Sequence, residues 1–355
     1  MKRLSFVLLL VLLLSACGPV TPASRTLLAA PNANDIVLDP SRTYSNYTVT
    51  ASGYADDPIV IWGNGAMVKC LSIKGNYVTV DNVIATGCSS HGILVSGKND
   101  TVLNSYVYGN VTENGTGPCP GTGSWGSGIK GAVGAENLTV RYNTVFANCG
   151  EGIALTRVVG GEVANNTVYD NFSVNIYIDN SNGVIVHDNR SLCYDSRFYR
   201  NNAPARGVTL AAEYYAGWGF QFRDVLVEKN YVERCGGPRW YAPRFPNDQG
   251  TNVTVRDNWF SGVPSPQVAL PTWMSASNNV VVTVTPSTVG STPTQTVTFT
   301  PAPPTATRSA TLTRTPTVIP SPITLTSMPP VSVTPTLECY TVMSSVGTKV
   351  QICFP

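Results

Sequence analysis

Between residues 77 and 255 the chain repeats short runs in which β-branched residues alternate with polar ones. They are Tyr77-Val78-Thr79-Val80, Thr101-Val102, Leu138-Thr139-Val140, Glu162-Val163, Val184-Ile185-Val186, Val225-Leu226-Val227 and Val253-Thr254-Val255. Aligned on their last valine, they step by 22, 38, 23, 23, 41 and 28 residues. The base period is 22 to 23, and the longer steps are one period plus an insertion. A period of this length in period-2 apolar sequence predicts a solenoid, whose units bury their apolar faces only by stacking on one another.

The punctuation inside each unit sharpens the prediction. Asn143, Asn166, Asn189, Asn230 and Asn258 stand three residues after the reference valine, followed by a short strand such as Thr144-Val145-Phe146. A turn follows, and then a pair that opens another strand: Gly92-Ile93, Gly128-Ile129, Gly152-Ile153, Asn175-Ile176 or Gly207-Val208. Three short strands per turn with an asparagine at a tight corner predict an all-β fold, a single right-handed parallel β-helix. The corner residue is expected in the left-handed region, and its stacked amides are expected to form a ladder.

Composition sets the boundaries of that domain. From Thr285 to Thr336 the chain is nearly all Thr, Pro, Ser and Val, without apolar periodicity, and reads as a disordered linker or stalk. Residues 35–284 are the expected helix, 17–34 a tether, 285–336 the linker and 337–355 a small C-terminal segment. Charged residues make up only 12%, with 23 Lys+Arg against 21 Asp+Glu, so no basic excess marks a nucleic-acid binder. Two histidines, His91 and His187, exclude a multi-histidine metal centre, and no C-x-x-C pair occurs. Chemistry must rest on carboxylates, Lys, Arg or Tyr.

At the N-terminus, Lys2 and Arg3 precede an apolar run from Phe6 to Leu14 that is too short to span a bilayer and fits a secretion signal over residues 1–16. The following Leu14-Ser15-Ala16-Cys17 resembles a bacterial lipobox. That resemblance implies lipidation of Cys17, hence an exported protein held at the envelope or cell surface by its lipid. Eight cysteines remain. Only Cys339 with Cys353 is expected as a disulfide, because the short segment they bracket needs a staple; Cys70, Cys88, Cys149 and Cys235 also read as free, buried small hydrophobes.

The stretch Tyr47-Thr48-Val49-Thr50-Ala51-Ser52-Gly53 with Asp57-Pro58-Ile59-Val60-Ile61 resembles the opening of pectate-lyase-like β-helix proteins, including family 9 pectate lyases. We take the Gly-Ile strand as the first of each coil, the valine strand as the second and the strand after the Asn corner as the third. Insertions Val111–Trp125, Arg190–Arg206 and Ala212–Arg223 then border the first sheet and make a trough along it. With Ile93, Ile129, Ile153, Ile176 and Val208 inward, the outward columns read Leu94, Lys130, Ala154, Tyr177, Thr209 and Ser96, Ala132, Thr156, Asp179, Ala211.

The segment from Gly128-Ile129-Lys130 to Ala154-Leu155-Thr156-Arg157 also resembles family 6 polysaccharide lyases. The resemblance implies Lys130 as base and Arg157 as its partner, with Glu151 adjoining them. In a β-elimination, cations neutralise the substrate carboxylate and so acidify the proton beside it. Trp125, Tyr177, Asp179, Glu213, Tyr214 and Trp218 are the expected substrate contacts, the insertion rings, with Tyr215 among them, because flat aromatics stack on sugars. The acidic calcium ligands of that family have no counterpart before Lys130, where Ser124-Trp125-Gly126-Ser127 stands. Calcium takes six to eight oxygens, and the columns offer only Asp179 with Glu151 nearby, so the metal stays open.

The bland readings are that Lys130 is a solvated charge, that Glu151 and Arg157 form a rim ion pair and that His91 is structural. No cluster of catalytic aspartates is visible to suggest a polygalacturonase-type hydrolase. Two functions remain open: a surface enzyme, most simply a lyase on a uronate polysaccharide, or a non-catalytic β-helix lipoprotein that binds glycans or serves envelope architecture.

Overall fold

The computed structural model describes residues 31–115, 119, 125–245, 247–262 and 270–282, together with the backbone of 338–343 and 349–354. Cys17 and the stretch Thr285–Thr336 lie outside these residues. The described chain from Ile36 to Val282 is a right-handed parallel β-helix.

Its second strands stack into a ten-stranded parallel sheet that includes Val78–Asp81, Glu136–Arg141, Val159–Ala164, Asn182–His187, Arg223–Glu228 and Thr251–Arg256. The first and third strands form two further faces, joined at one end through Met67–Ile73, which serves both. Each strand turns one side of its pleat inward, so Ile93, Ile129, Ile153, Ile176 and Val208 stack in register as one buried column. Val80, Val102, Val140, Val163, Val186, Val227 and Val255 do the same from the second sheet.

The expected asparagine ladder is present. Nδ2 of Asn143 donates to Oδ1 of Asn166 at 3.0 Å, Asn166 to Asn189 at 2.9 Å, Asn189 to Asn230 at 2.9 Å and Asn230 to Asn258 at 2.9 Å. Each amide also donates to a carbonyl of the preceding coil, such as Val140 O for Asn166 and Val163 O for Asn189. One detail differs from expectation. The left-handed residue is the one before the ladder position, namely Tyr142, Asn165, Asp188, Lys229 and Asp257. The ladder asparagines are thereby left free to aim their amides along the axis.

A second ladder, not foreseen from the sequence, lines the corner between third and first strands. Asn110 donates to Asn148 at 3.0 Å, Asn148 to Asn171 at 2.9 Å and Asn171 to Asn175 at 3.0 Å. It explains the Gly-Ile pairs: a Cβ on Gly92, Gly128 or Gly152 would lie 2.7, 2.8 or 2.7 Å from the Nδ2 of Asn110, Asn148 or Asn171. One coil later the side chain of Asn175 itself supplies the next rung.

The same corner carries three disulfides, Cys70–Cys88, Cys119–Cys149 and Cys193–Cys235. This corrects the reading of Cys70, Cys88, Cys149 and Cys235 as free hydrophobes. The backbone N–H of Cys88 donates to Oδ1 of Asn110 at one end of the ladder, and Asn175 reaches the sulfur of Cys235 at 3.4 Å at the other. Arg190 also departs from expectation: Arg190–Leu192 is a third strand, so the insertion there begins after it. As a separate unit, Glu338–Met343 and Lys349–Phe354 pair antiparallel, with position 339 opposite 353 in the backbone register.

Candidate active site

The first sheet's outer face is set by three neighbouring strands, Ser127–Gly131, Glu151–Thr156 and Val174–Asp179, followed by Arg206–Ala211. Register aligns Lys130 with Ala154, Ala154 with Tyr177 and Tyr177 with Thr209, as the alternation requires. The loop after Ala211 folds back over this face, which is why Tyr177 and Thr209 are buried although they point away from the core.

Glu151 is a strand residue rather than a rim charge. Its carboxylate lies 3.6 Å from Lys130 Nζ, and the side chains are only 7% and 14% exposed. Lys130 is therefore largely shielded from solvent, and the expected Glu151–Arg157 pair is replaced by Glu151–Lys130. Ser127 Oγ donates to Glu151 at 2.9 Å. Burial pushes the Glu151 carboxyl up, against the opposing charge of Lys130, while Asp179 and Glu213 push it further up.

Those two acids complete a cluster. Asp179 accepts from Tyr215 Oη at 2.6 Å and from the Glu213 backbone N–H at 2.9 Å, so it fixes the start of the covering loop. Glu213 accepts from Tyr177 Oη at 2.8 Å. Burial raises both carboxyls; Tyr215 opposes the rise at Asp179, and Tyr177 opposes it at Glu213. The hydroxyls of Tyr177 and Tyr215 are pushed up by burial and by these carboxylates, which keeps them protonated donors. The outward columns offered Asp179 with Glu151 nearby; the covering loop adds Glu213, and all three carboxyls lie within electrostatic reach of Lys130. Among the described residues, however, no group of three or more His, Cys, Asp or Glu is arranged to hold a metal ion.

Arg157 follows the strand in a left-handed conformation, with its backbone N–H bonded to Asp179 O. Its guanidinium lies 4.3 Å from the Tyr215 ring centre and 5.8 Å from that of Trp218, within cation–π range. Arg157 Nε and Trp218 Nε1 are buried and make no hydrogen bond.

The structure does not bring the remaining rings to the cluster by any contact. Trp125 is half exposed beneath Arg200, 4.2 Å away, and Tyr214 is exposed and tilts toward Phe245. His91, in contrast, is closer to the chemistry than its turn position suggests. Its Nδ1 accepts from the Ser127 N–H at 3.1 Å, and burial with the nearby Lys130 charge holds the ring down at about 4. The imidazole is neutral and carries its proton on Nε2.

Of the expected residues, then, Lys130, Glu151, Arg157, Tyr177, Asp179, Glu213 and Trp218 form one connected group. Ser127 was not anticipated, and Tyr215 was expected as a ring to stack on sugar rather than as the hydrogen-bond donor to Asp179. Tyr215 neighbours an aromatic in a Gly-rich insertion, and Ser127 precedes the Gly-Ile pair in the coil of Lys130; neither position has a periodic signal.

The family described as right handed beta helix region matches residues 59–191. No curated protein matches the chain by sequence. Among solved structures, the chain is similar to pectate lyase Pel9A at 13% identity, covering 70% of this chain and 68% of that one with a TM-score of 0.48. It is similar to the A-module of Azotobacter vinelandii mannuronan C-5 epimerase AlgE6 at 15% identity, covering 72% and 80% with a TM-score of 0.47. An alginate lyase from Paenibacillus sp. str. FPU-7 shares 16% identity over 71% and 93% of the two chains, with a TM-score of 0.38. These likenesses concern the fold. With residues 59–191 matched and the same corners repeated as far as Asn279, the described chain is a right-handed parallel β-helix.

Proposed function

We propose that the protein is an exported, carbohydrate-active β-helix that cleaves a uronate polysaccharide by β-elimination on the outer face of its first sheet. The observation that carries this reading is the shielded Lys130–Glu151 pair with Asp179 and Glu213 beside it. Desolvated charges of this kind are costly to a fold and concentrate at working sites.

In the reaction, Lys130 passes its own proton to the neighbouring carboxylate of Glu151, 3.6 Å away, and then takes the proton next to the sugar carboxylate. The released electron pair forms a carbon–carbon double bond as the bond to the leaving glycosidic oxygen breaks. That oxygen receives a proton from a neighbouring acid. Glu151 and Tyr177 both hold protons more tightly than usual and stand on the same face. Arg157 supplies positive charge to the substrate carboxylate.

The test is incubation of the purified protein with a panel of uronate polymers, with and without calcium, following the ultraviolet absorbance of unsaturated ends. Absorbance growing with time supports the lyase. New reducing ends without absorbance would replace it with hydrolysis through the carboxyl cluster.

Non-catalytic glycan binding is the second reading, favoured by the exposed rings of Trp125 and Tyr214; polymer retention without any product would establish it. Attachment through a lipid on Cys17 belongs to the same proposal, and Cys17→Ala should release the protein from the envelope.

A further inference from the structure

The outer face of the first sheet changes character at Lys130. On the coils before it, register aligns Thr48 with Ser72, Ser72 with Leu94 and Leu94 with Lys130, three strand steps or roughly 14 Å along the axis. Thr48 is exposed and Ser72 and Leu94 are half-buried, so this part of the row is open. On the coils after it, Ala154, Tyr177 and Thr209 continue the row at 0%, 6% and 4% exposure. The neighbouring row closes at the same coil: Ser96 and Ala132 are half-buried, whereas Thr156 and Asp179 are 4% and 0% exposed.

The insertion after Ala211 makes this boundary. It reaches back two coils to Arg157, on the coil directly after Lys130, where the Tyr215 ring centre lies 4.3 Å from the guanidinium. It is fastened along its length. Asp179 holds its start through Glu213 N–H and Tyr215 Oη, and Asn182 Nδ2 donates to Gln221 near its end at 3.4 Å. Phe222 is buried in the main core, with Phe220 packed against that core and both rings meeting Trp240. A segment tied at its start, its middle and its end is a wall, not a cover that a passing polymer pushes aside.

The open side carries unpaired positive charge. Lys74 follows Ile73, which pairs with Val95, so Lys74 stands beside Ser96 at the edge of the open rows. It is exposed and has no carboxylate within ion-pair reach among the described residues, whereas Lys98 is held by Glu136 at 2.7 Å. Together with Lys130, it gives the open platform a sign that suits a polyanion.

The geometry points to a trough with a dead end: a polyuronate lies along Thr48, Ser72 and Leu94, its terminal sugar meets the wall raised by residues 213–222, and Lys130 acts only on bonds near that chain end. This rests on the reading of the face as a uronate lyase site. It goes beyond that reading by fixing the mode of attack, which is release of short, uniform fragments from chain ends in place of internal cutting.

The experiment is a time course of the purified full chain on the uronate polymer that it cleaves, with unsaturated ends followed by absorbance, chain length by viscosity and fragments by size chromatography. End attack predicts fragments of uniform size from the start, and unsaturated ends that accumulate while viscosity hardly falls. A parallel titration reads binding alone: Lys130→Ala, mixed in a calorimeter with polymers of graded length, should saturate at the same number of proteins per chain whatever the length. Lys74→Gln should weaken this binding by about 5-fold at low salt, the upper end for an exposed charge pair, and Lys98→Gln should not. Replacing residues 214–219 by two glycines removes the wall between its anchors and should broaden the fragment sizes. Should that variant fold poorly, the wild-type time course and the titration decide alone.

An early collapse of viscosity with a ladder of fragment sizes, or saturation that grows with polymer length, would overturn the dead end while leaving the lyase standing. Length-independent saturation without any unsaturated product would overturn the lyase reading alone and keep the end site. No binding of any polyuronate would overturn both.

Discussion

The helix carries two charged clusters on two of its outer faces, and they obey opposite electrostatics. On the second sheet, Glu162 accepts from Arg141 and sits 2.9 Å from His187 Nε2, while His187 Nδ1 lies 2.7 Å from Asp188. These side chains are 24–46% exposed. Here partners overcome burial: Glu162 is lowered and His187 raised, so each group favours its charged form. On the first sheet burial overcomes partners, and Glu151, Asp179 and Glu213 are all raised. The first arrangement is what a solvated surface does to adjacent charges. The second works against the charged state even though Asp179 also holds the start of the covering loop, and the shielded Lys130 in its midst is why function is proposed there.

The sharpest way to break this contrast is to remove one charge from each cluster and measure turnover on the polymer identified in the panel. Lys130→Ala should lower turnover by ~10²- to 10⁴-fold, the usual contribution of a general base, while polymer binding persists. Glu162→Gln should leave turnover at the wild-type level. An active protein whose Lys130→Ala variant keeps full turnover would refute the assigned role and shift it to Glu151, Arg157 or Glu213.

The next effect is on stability against pH. A carboxyl whose folded pKa is raised binds more protons in the folded state, so stability is lost as pH rises from the ordinary carboxylate range through the folded value. Glu151, Asp179 and Glu213 all act in this direction, and so does Asp100, a corner carboxyl that burial pushes up to about 7. Glu151→Gln should therefore flatten the decline seen in thermal melts as pH rises above the ordinary carboxylate value of 4.5. The slope is the readout, because losing the partner of Lys130 shifts the whole curve. An unaltered slope would mean that Glu151 titrates as an exposed acid.

How much of this could be read in advance differs between the two faces for a physical reason. Stacking forces each coil to repeat its neighbour, so the inward isoleucines, the ladder of Asn143, Asn166 and Asn189, and the outward column of Lys130 and Tyr177 are written in the period. The second ladder is legible too, five residues after the first in Asn148 and Asn171, and the Gly-Ile pairs mark the glycines that its amides require. Glu213 and Tyr215 come from an insertion with no counterpart in other coils. Their meeting with Tyr177 and Asp179 depends on how the loop closes, which no periodic pattern encodes. The disulfide partners were hidden for a similar reason: Cys70 and Cys88 share a corner, yet their 18-residue separation is not the coil period.

A smaller effect separates the rings that touch the cluster from those that do not. Trp218 lies beside Arg157, whereas Trp125 contacts Arg200. Trp218→Ala should weaken polymer affinity by roughly 3- to 10-fold, the scale of one aromatic contact. Trp125→Ala should weaken it less, and the reverse order in a binding titration would move the sugar path toward the insertion that holds Arg200.

The smallest effect belongs to the second sheet and tests whether its charges are as ordinary as their exposure suggests. His187 is raised, so its contribution is complete below its unfolded value of 6.5 and disappears as pH rises through the folded one. Glu162 is lowered, so its contribution is complete above 4.5 and disappears as pH falls. The cluster is thus at its strongest between those two values, the range in which the first-sheet carboxyls begin to oppose folding. Part-exposed pairs contribute under about 1 kcal/mol each, and ~1 M salt screens them over about 3 Å. His187→Ala should therefore lower the melting temperature slightly within that window, less at higher pH, and hardly at all in high salt. A large, salt-insensitive loss would show that the second-sheet cluster is as desolvated as the first, and the argument from contrast would then no longer single out Lys130 and Glu151.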